Sequence, residues 1–512
     1  MTEAWILALP IGIPLTTMAL CTLLQRQALA QRLVSITGSA ALLASSLLLL
    51  ATTYDGTVIA TQFGDWPAPF GISFVADLLA TAMVVITGLM AMTVAIHALV
   101  DGARERERAW FHPLYHGLLL GVTGAFLTGD IFNLYVWFEI MLISSFGLLI
   151  QGGRSEQLDA GVKYVVLNLL VTTLFLMGVG FLYGLTGTLN MADLATVIPQ
   201  LENQGLVKTL AVLFLMCFGA KAAVFPLFFW LPAAYHTASA PIMAIFAALL
   251  TKVGVYAMLR VFTLPFGSIL EFIGPPIGWI AGLTMITGVL GAAAQFDMRR
   301  ILSFHIISQI GYMLIGLAVA TPLALGGSVL YVLHHIIVKA NLFLIAGAVQ
   351  RAAGSYHLGS IGGVHRSAPF LTLLFVVPAL SLAGLPPLSG FWAKFTVVRS
   401  SLEAGHAVLG AVALAVGLLT LYSMLKIWNE AFWKQASRLS DAAARRWHAD
   451  PHLKLAMLAP ILVLASLTLT IGLWPEPFVD FSVRAAGQML DGEAYARAVL
   501  NQTLPPAGGH PQ

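Results

Sequence analysis

Long apolar stretches recur along almost the whole chain, and they constrain its fold more than any other feature. A helix that spans a bilayer needs about 20 residues that are mostly apolar, because the hydrocarbon core is about 30 Å thick. About fourteen windows meet this requirement, and the third and twelfth are long enough to be tilted, broken or partly interfacial. The windows lie near residues 5–24, 32–52, 72–99, 113–128, 131–150, 161–184, 207–229, 241–262, 277–295, 301–320, 325–350, 370–398, 407–433 and 454–474. The sequence therefore predicts an all-α integral membrane protein.

Composition supports one integral domain and excludes several function classes. The chain is 59% hydrophobic and 10% charged, whereas a soluble domain has about a quarter of its residues charged. A formal net charge of +3 is too small to indicate a nucleic-acid partner. Cys21 and Cys217 both lie in apolar windows, so neither a disulfide framework nor a cysteine metal site is expected. There is no Walker loop, dinucleotide fingerprint or CxxC pair, so no cofactor is predicted.

Loop charges predict the orientation of the spans. Lys and Arg gather in alternate loops, which are expected to be cytoplasmic, whereas the intervening loops carry few of them. The basic loops carry Arg26 and Arg32; Arg104, Arg106 and Arg108; Arg154; Arg299 and Arg300; Arg351 and Arg366; and Lys434, Arg438, Arg445 and Arg446. We therefore expect a multi-pass protein of a prokaryotic cell (inner) membrane, with both termini outside. Residues 476–500 predict a short amphipathic helix along the membrane, followed by a disordered end.

Four ionisable side chains fall well inside apolar windows. They are Glu139 in the fifth window, Lys221 in the seventh, Lys252 in the eighth and Lys394 in the twelfth. An ionisable group at membrane depth costs at least about 2.5–3.5 kcal/mol on insertion scales, so such groups indicate a functional site.

The eleventh window carries a second polar set. Tyr331, His335 and Lys339 repeat every fourth residue, which places a phenol, an imidazole and an amine on one helix face. Helical periodicity turns His334 about 100° away from that face.

Proline interrupts two windows close to these charges. Pro226 follows Lys221, and Pro386 with Pro387 precedes Lys394. Proline frees a backbone carbonyl inside a helix, and a membrane tolerates this only inside protein or beside a wet cavity. Broken helices in two halves of a chain indicate a transport site between inverted repeats. The breaks are five windows apart, which fits repeats of opposite orientation, although no residue-by-residue repeat is visible.

Together these groups predict a relay for protons or cations. Burial favours the neutral form of each group, and proximity of opposite charges favours the charged forms. A Glu139–Lys221 pair can therefore hold or release a proton, and Lys252, His335 and Lys394 would continue the path.

Each group also has a structural interpretation. A buried lysine can extend to the interface, and Glu139 can form a static salt bridge between helices. His334 fits packing or a hydrogen bond better than transport, and Lys339 fits anchoring as well as function. Asp130 can cap a helix or line a mouth of the path, and Asp77 can pair with a basic partner. The relay is favoured because five ionisable groups occur together.

Five segments resemble a known family. They are TGDIFNLYVWFEIMLISSFGLL, GAKAAVFPLFFWLPAAYHTASAP, FDMRRILSFHIISQIGYM, LHHIIVKANLFLIAG and SLAGLPPLSGFWAKF. In this order, over residues 70–435, they resemble the antiporter-like subunits shared by respiratory complex I and Mrp-type multisubunit antiporters. Together with GDWPAPFGISFVADLLA and the chain length, they look most like D subunits of Mrp cation/proton antiporters.

The resemblance implies fourteen helices, two inverted five-helix repeats, and broken helices seven and twelve. It assigns helices 1–3 to residues 1–112, the first repeat to 113–262, the second to 263–434, and the last span with its tail to 435–512. By motif it implies that Glu139 is the acid of the fifth helix and modulates Lys221, the lysine of the seventh helix. It also implies that Lys252 is the lysine of the eighth helix, His335 the histidine of the eleventh and Lys394 the lysine of the twelfth. Some relatives have a histidine where this chain has Tyr331, which leaves open how the relay passes through the eleventh helix.

The resemblance further implies a subunit that works with partner subunits in a hetero-oligomer, exchanging external protons for internal sodium. The leading hypothesis is thus a secondary transporter subunit and not an enzyme. The alternative is a pumping subunit of a complex I-like or membrane-hydrogenase oxidoreductase, which would use the same path. A scaffold without conduction is disfavoured by the intact set of ionisable groups.

Overall fold

The computed structural model describes residues 4–100, 110–449 and 451–500. Within these ranges, twelve helices are long and apolar enough to cross a membrane. The main helices are α1 (Ala4–Leu23), α2 (Ala28–Thr53), α3 (Leu78–Ala98), α4 (Phe111–Leu127), α5 (Ile131–Leu149), α6 (Ser155–Thr186), α7 (Gln204–Ala222), α8 (Ala240–Thr263), α9 (Leu270–Ala294), α10 (Met298–Val319), α11 (Pro322–Ala353), α12 (Pro369–Ala383), α13 (Ser389–Glu403), α14 (Ala407–Trp433), α15 (Pro451–Leu473), α16 (Glu476–Leu490) and α17 (Gly492–Leu500). The all-α membrane fold is as predicted.

Two predicted windows hold shorter helices. The fourth window is α4, with 17 residues. The twelfth is divided into α12 and α13, of 15 residues each, because the chain breaks between them at residues 384–388. The total of fourteen membrane crossings and the inverted repeats stay predictions.

A small hairpin precedes α3. Strands β1 (Ile59–Gln62) and β2 (Ser73–Ala76) pair antiparallel, with Ile59 opposite Ala76. The third window, predicted from residue 72, therefore begins as a strand. We call this side of the bundle the hairpin end.

The C-terminal segment covers the hairpin end. It forms two helices, α16 and α17, where one was predicted, and Asp491 separates them. A Cβ at Gly326 of α11 would lie 3.0 Å from Cα of Val483, so α16 packs tightly on the bundle. The predicted helix along the membrane is thus a pair packed on protein.

Several predicted features fall outside the described residues. These are the basic loop with Arg104, Arg106 and Arg108 and the end of the chain from residue 501.

Helices α8, α10 and α11 form the centre of the bundle. The whole apolar window of α8 is buried, as is 94% of the windows of α10 and α11, whereas only 33% of the α1 window is buried. The central helices hold Lys252, His335 and Lys339, so these charges are shielded from lipid by other helices.

Candidate functional site

The break after α7 places Lys221 at the end of a helix. Ala223 adopts a left-handed backbone conformation, with φ of 62°, and ends the helix. The carbonyl of Ala220 accepts hydrogen bonds from the Ala223 amide at 3.1 Å and from Trp230 Nε1 at 3.0 Å. The Phe225 amide donates to Thr284 Oγ1 at 2.9 Å. The interruption predicted around Pro226 is therefore built into the structure, with its polar groups satisfied by neighbouring side chains.

Glu139 lies within electrostatic range of Lys221 without forming a contact ion pair. No ion pair within 4.0 Å joins these two described residues, and Oε1 of Glu139 is buried with no described hydrogen-bond partner. Lys221 is 8% exposed, and its Nζ lies 5.6 Å from the centre of the Phe138 ring. Glu139 still acts electrostatically on Lys221. The static salt bridge considered above is thus absent, and the pair interacts through space.

Lys252 lies beside an irregular turn of α8. Residues Phe246–Leu250 form one π-helical turn, a feature that often marks functional sites. Lys252 is fully buried, and its Nζ donates a hydrogen bond to the carbonyl of Ala247 in that turn at 2.5 Å. Two residues later, Gly254 lets α8 cross the end of α7, since a Cβ there would lie 2.6 Å from the Ala222 nitrogen. The helices that carry Lys221 and Lys252 therefore cross at close backbone contact.

The next groups lie between α10 and α11. His335 is fully buried, and neither ring nitrogen has a hydrogen-bond partner among the described residues. Lys252, Lys339 and His305 lie within electrostatic range of its ring. Lys339 donates to the carbonyl of Leu302 at 3.0 Å, so it is held on α10.

Sequence reasoning missed His305. This α10 side chain is fully buried, and within the described part of the chain both its ring nitrogens lack hydrogen bonds. The signal was an imidazole at membrane depth in SFHIISQ. Only the packing of α10 on α11 shows that His305 lies within electrostatic range of His335.

Tyr331 and His334 connect α11 to other elements. The hydroxyl of Tyr331 donates to Gln309 Oε1 at 2.5 Å, and the ring stacks on Tyr312 with centroids 5.1 Å apart. His334 Nδ1 lies 2.8 Å from the hydroxyl of Ser389, at the start of α13. His334 therefore makes the hydrogen bond that its structural interpretation predicted, and it makes it to the broken twelfth segment.

Lys394 lies against the second break. Gly384 ends α12 with φ of 93°, and a Cβ there would lie 2.6 Å from Cδ of Lys394. Lys394 Nζ donates to the carbonyl of Ala383 at 3.0 Å and lies 4.8 Å from the centre of the Tyr312 ring. A mostly apolar cavity of about 470 Å³ adjoins this lysine. The break at the prolines therefore leaves a carbonyl, that of Ala383, beside Lys394, as predicted.

Two further acidic residues, Asp130 and Asp77, lie at the hairpin end, away from the lysines and histidines described above. Asp130 caps α5 by accepting a hydrogen bond from the Asn133 amide at 2.7 Å, and burial raises its pKa to about 6. Asp77 pairs with Arg260, as one of its interpretations predicted. No cluster of three or more described His, Cys, Asp or Glu residues could hold a metal ion.

The arrangement has counterparts in known proteins. Residues 128–420 match the family model described as NADH:quinone oxidoreductase/Mrp antiporter, transmembrane. The chain belongs to this family. The D subunit of the Na+/H+ antiporter of Alkalihalophilus pseudofirmus is 45% identical over 495 residues, which cover 96% of this chain and 99% of that protein. The N subunit of the NADH-quinone oxidoreductase of Desulforudis audaxviator is 36% identical over 462 residues, 87% of this chain and 91% of that protein.

A solved structure gives the same assignment. In the Mrp complex from Dietzia sp., one chain superimposes with a TM-score of 0.88 and 34% identity, covering 98% of this chain and 100% of that chain. The resemblance to Mrp-type D subunits is thus confirmed, and the protein is an antiporter-like, multi-pass membrane subunit.

Proposed function

We propose that this chain is the proton-translocating subunit of a multisubunit Na+/H+ antiporter. Protons would pass along the relay row, which we define as Glu139, Lys221, Lys252, His335 and Lys394. One observation carries the proposal. The ammonium groups of Lys252 and Lys394 are each held by a carbonyl at an irregular turn or helix break, and neither has a carboxylate within ion-pair distance among the described residues.

A lysine held in this way can lose its proton cheaply. Removing one partner of a buried ion pair leaves an uncompensated charge, which costs about 3–5 kcal/mol. A lysine bound to a carbonyl leaves no such charge behind, because its amine is neutral after deprotonation. Lysine also changes its protonation readily when buried. The relay row is therefore suited to passing a charge from one group to the next.

Water is needed between these groups. Buried polar atoms in proteins are nearly always hydrogen-bonded to protein or to water. Several atoms here lack a hydrogen-bond partner among the described residues, namely the ring nitrogens of His335 and His305 and Oε1 of Glu139. We therefore expect water molecules at these positions. Such water would carry protons between the side chains of the relay row.

Glu139 would set the direction of transfer. Its carboxylate favours the ammonium form of Lys221. If either helix moved and the attraction between the two side chains became weaker, Lys221 would release its proton toward Lys252. His335 would accept it next, with His305 and Lys339 adjusting the local charge. His334 and Tyr331 would position α11 against the second break, and Lys394 would be the last carrier.

The partners follow from the relatives. One similar protein is named as a Na+/H+ antiporter subunit and another belongs to an Mrp complex, so we infer a hetero-oligomer in a prokaryotic inner membrane that exchanges protons for Na+. The hairpin end and both termini would face outside, and the basic loops would face the cytoplasm.

A second function is favoured by one comparison. The 36% identity to an NADH-quinone oxidoreductase subunit supports the alternative of a pumping subunit in a redox-linked complex. Genes for small Mrp subunits beside this one would favour the antiporter, and genes for iron–sulfur subunits would favour the alternative.

The proposal is tested in everted membrane vesicles that contain the whole complex. Na+-dependent collapse of a pH gradient should be present in the wild type and lost in Lys252→Met. Lys426→Met is the matched control, since Lys426 also donates to carbonyls, of Ala293 and Gln295, but lies outside the relay row. Equal activity in Lys252→Met and Lys426→Met, at matched amounts of complex, would contradict the relay.

A further inference from the structure

One ion pair at the hairpin end is buried completely. Arg260 Nη1 lies 2.7 Å from Asp77 Oδ2, Nη2 lies 2.7 Å from Oδ1, and the side chains are 3% and 2% exposed. Ion pairs such as Arg399–Glu403 lie by contrast at the exposed surface. Asp77 also caps α3 by accepting from the Ala80 amide at 2.9 Å. A buried pair is weak evidence for a stabilising role, because desolvation offsets the attraction.

Arg260 shares a helix face with the central lysine of the relay row. Lys252, Tyr256 and Arg260 follow each other at spacings of four residues along α8, so they lie one above another. The Tyr256 hydroxyl donates to the carbonyl of Phe126 at 2.6 Å and accepts from Arg260 Nη2 at 3.5 Å. This face leads directly from the centre of the bundle to the hairpin end.

Tyr495 of α17 closes the end of that face. Its ring centre lies 5.3 Å from Cζ of Arg260, and the side chain is 3% exposed. On the opposite side, a Cβ at Gly129 would lie only 3.0 Å from the Tyr495 hydroxyl. The ring therefore fills the space between Arg260 and the connection from α4 to α5.

The C-terminal helices are held in place beside the ion pair. Gln488 Oε1 of α16 accepts from the Leu78 amide, next to Asp77, at 3.0 Å. Gln62 Nε2 of the hairpin donates to the carbonyl of Val499 in α17 at 3.2 Å. Tyr495 is thus presented by a segment that side-chain hydrogen bonds anchor to the hairpin and to the start of α3.

The chemistry of Arg260 suits a barrier and not a proton carrier. A guanidinium keeps its proton in proteins, and an arginine in a pathway can exclude protons and cations. Both carboxylate oxygens of Asp77 contact Arg260, and the Tyr256 hydroxyl bonds to Arg260 and to the Phe126 carbonyl. The ring nitrogens of His335 at the centre, by contrast, lack hydrogen bonds among the described residues.

We propose that Asp77, Arg260, Tyr256 and Tyr495 form a gate between Lys252 and the surface at the hairpin end, which is closed in this structure. The gate rests on the proposed function, because it is needed only if Lys252 carries protons. When α17 moves away, water enters along α8. The Lys252 ammonium then gives one proton to that water and remains as a neutral amine, while Arg260 stays protonated.

The gate is tested by proton leak without Na+. Vesicles containing the whole complex receive a pH gradient, and its decay is followed in Na+-free buffer. Tyr495→Ala should speed the decay several-fold, because the seal over Arg260 is lost. Tyr54→Ala is the matched control, since Tyr54 also covers an arginine at the hairpin end, Arg484, but is 50% exposed. It should decay like the wild type.

A second substitution locates the leak. Adding Lys252→Met to Tyr495→Ala should return the decay to the wild-type rate. The gate is wrong if Tyr495→Ala leaks no more than Tyr54→Ala at equal amounts of complex, or if the leak persists without Lys252. If Tyr495→Ala does not assemble, Tyr495→Leu fills much of the space without an aromatic ring and is held to the same outcomes. Na+-dependent exchange by the wild type, measured in parallel, tests the proposed function separately.

Discussion

The relay row and the hairpin end both bury charged side chains, but they satisfy them in different ways. In the relay row, Lys252 and Lys394 are held by single carbonyls, and Glu139 and His335 keep bare polar atoms. At the hairpin end, Asp77 and Arg260 satisfy each other with two short contacts. Under the proposed function, the first region changes its protonation at low cost, whereas the Asp77–Arg260 pair keeps its charges fixed. A transporter needs both, one part to move protons and another to prevent their free passage.

The largest effect is expected from removing the acid of the relay row. Glu139→Ala should assemble normally but reduce Na+-driven proton movement by about 100-fold or more, because Lys221 loses the carboxylate that modulates it. The measurement is exchange in vesicles with matched amounts of complex. Exchange at the wild-type rate in Glu139→Ala would show that Glu139 is a structural residue. The contrast between the relay row and the hairpin end would then not hold for this residue.

A large loss of stability is expected at the hairpin end. Asp77→Asn leaves the Arg260 charge buried without its partner, which should destabilise the fold by about 3–5 kcal/mol. Glu403→Gln breaks the exposed pair with Arg399 and should cost only about 0–1 kcal/mol. Thermal unfolding of the purified complex compares the two, and the double variant Asp77→Asn with Arg260→Met should recover part of the loss. Equal melting temperatures of Asp77→Asn and Glu403→Gln would show that the buried pair does not hold this end.

The smallest effect concerns pH and Asp130. Burial raises the pKa of this carboxyl from 3.8 to about 6. The folded state thus binds the proton more tightly than the unfolded chain, so the stability from this group is present below about pH 4 and lost as the pH rises through 6. Asp130→Asn keeps a capping side chain and does not ionise. Relative to wild type it should gain on the order of 1–3 kcal/mol at pH 8 and almost nothing at pH 4.

The readout for Asp130 is the melting temperature of the complex at several pH values. A shift of the same size at pH 4 and pH 8 would mean that Asp130 acts only as a helix cap. In that case its carboxyl would not titrate near neutral pH, and the hairpin end would keep its charges fixed at this position too.

Much of the fold followed from residue patterns, because a bilayer demands long apolar helices and prolines mark their breaks. The breaks at Pro226 and at Pro386 lie where the sequence placed them. The strand at Ser73–Ala76 was missed because a buried strand and a buried helix are equally apolar over a short run. The division of the last segment into α16 and α17 was missed because both halves are amphipathic.

The residues of the candidate site could be proposed from the sequence, but their contacts could not. Charges at membrane depth identified Lys252 and Lys394, whereas the carbonyls that hold them depend on the π-helical turn and on the shape of the second break. The one sequence signal of His305 was an imidazole at membrane depth, and Tyr495 had no distinctive sequence context. Their positions depend on long-range packing, of α10 on α11 and of α17 on the end of α8.

The central claim is that lysines of the relay row exchange protons, and Lys394→Arg tests it most directly. Arginine keeps the positive charge but does not release its proton. Lys426→Arg is the control, because Lys426 also binds freed carbonyls, at the end of α9. Both variants are assembled in the whole complex, and Na+-driven proton movement is measured in vesicles. We expect Lys394→Arg to assemble yet transport poorly and Lys426→Arg to match the wild type. Near-normal transport by Lys394→Arg would contradict the account, since a lysine that can be fixed in its charged form does not pass protons.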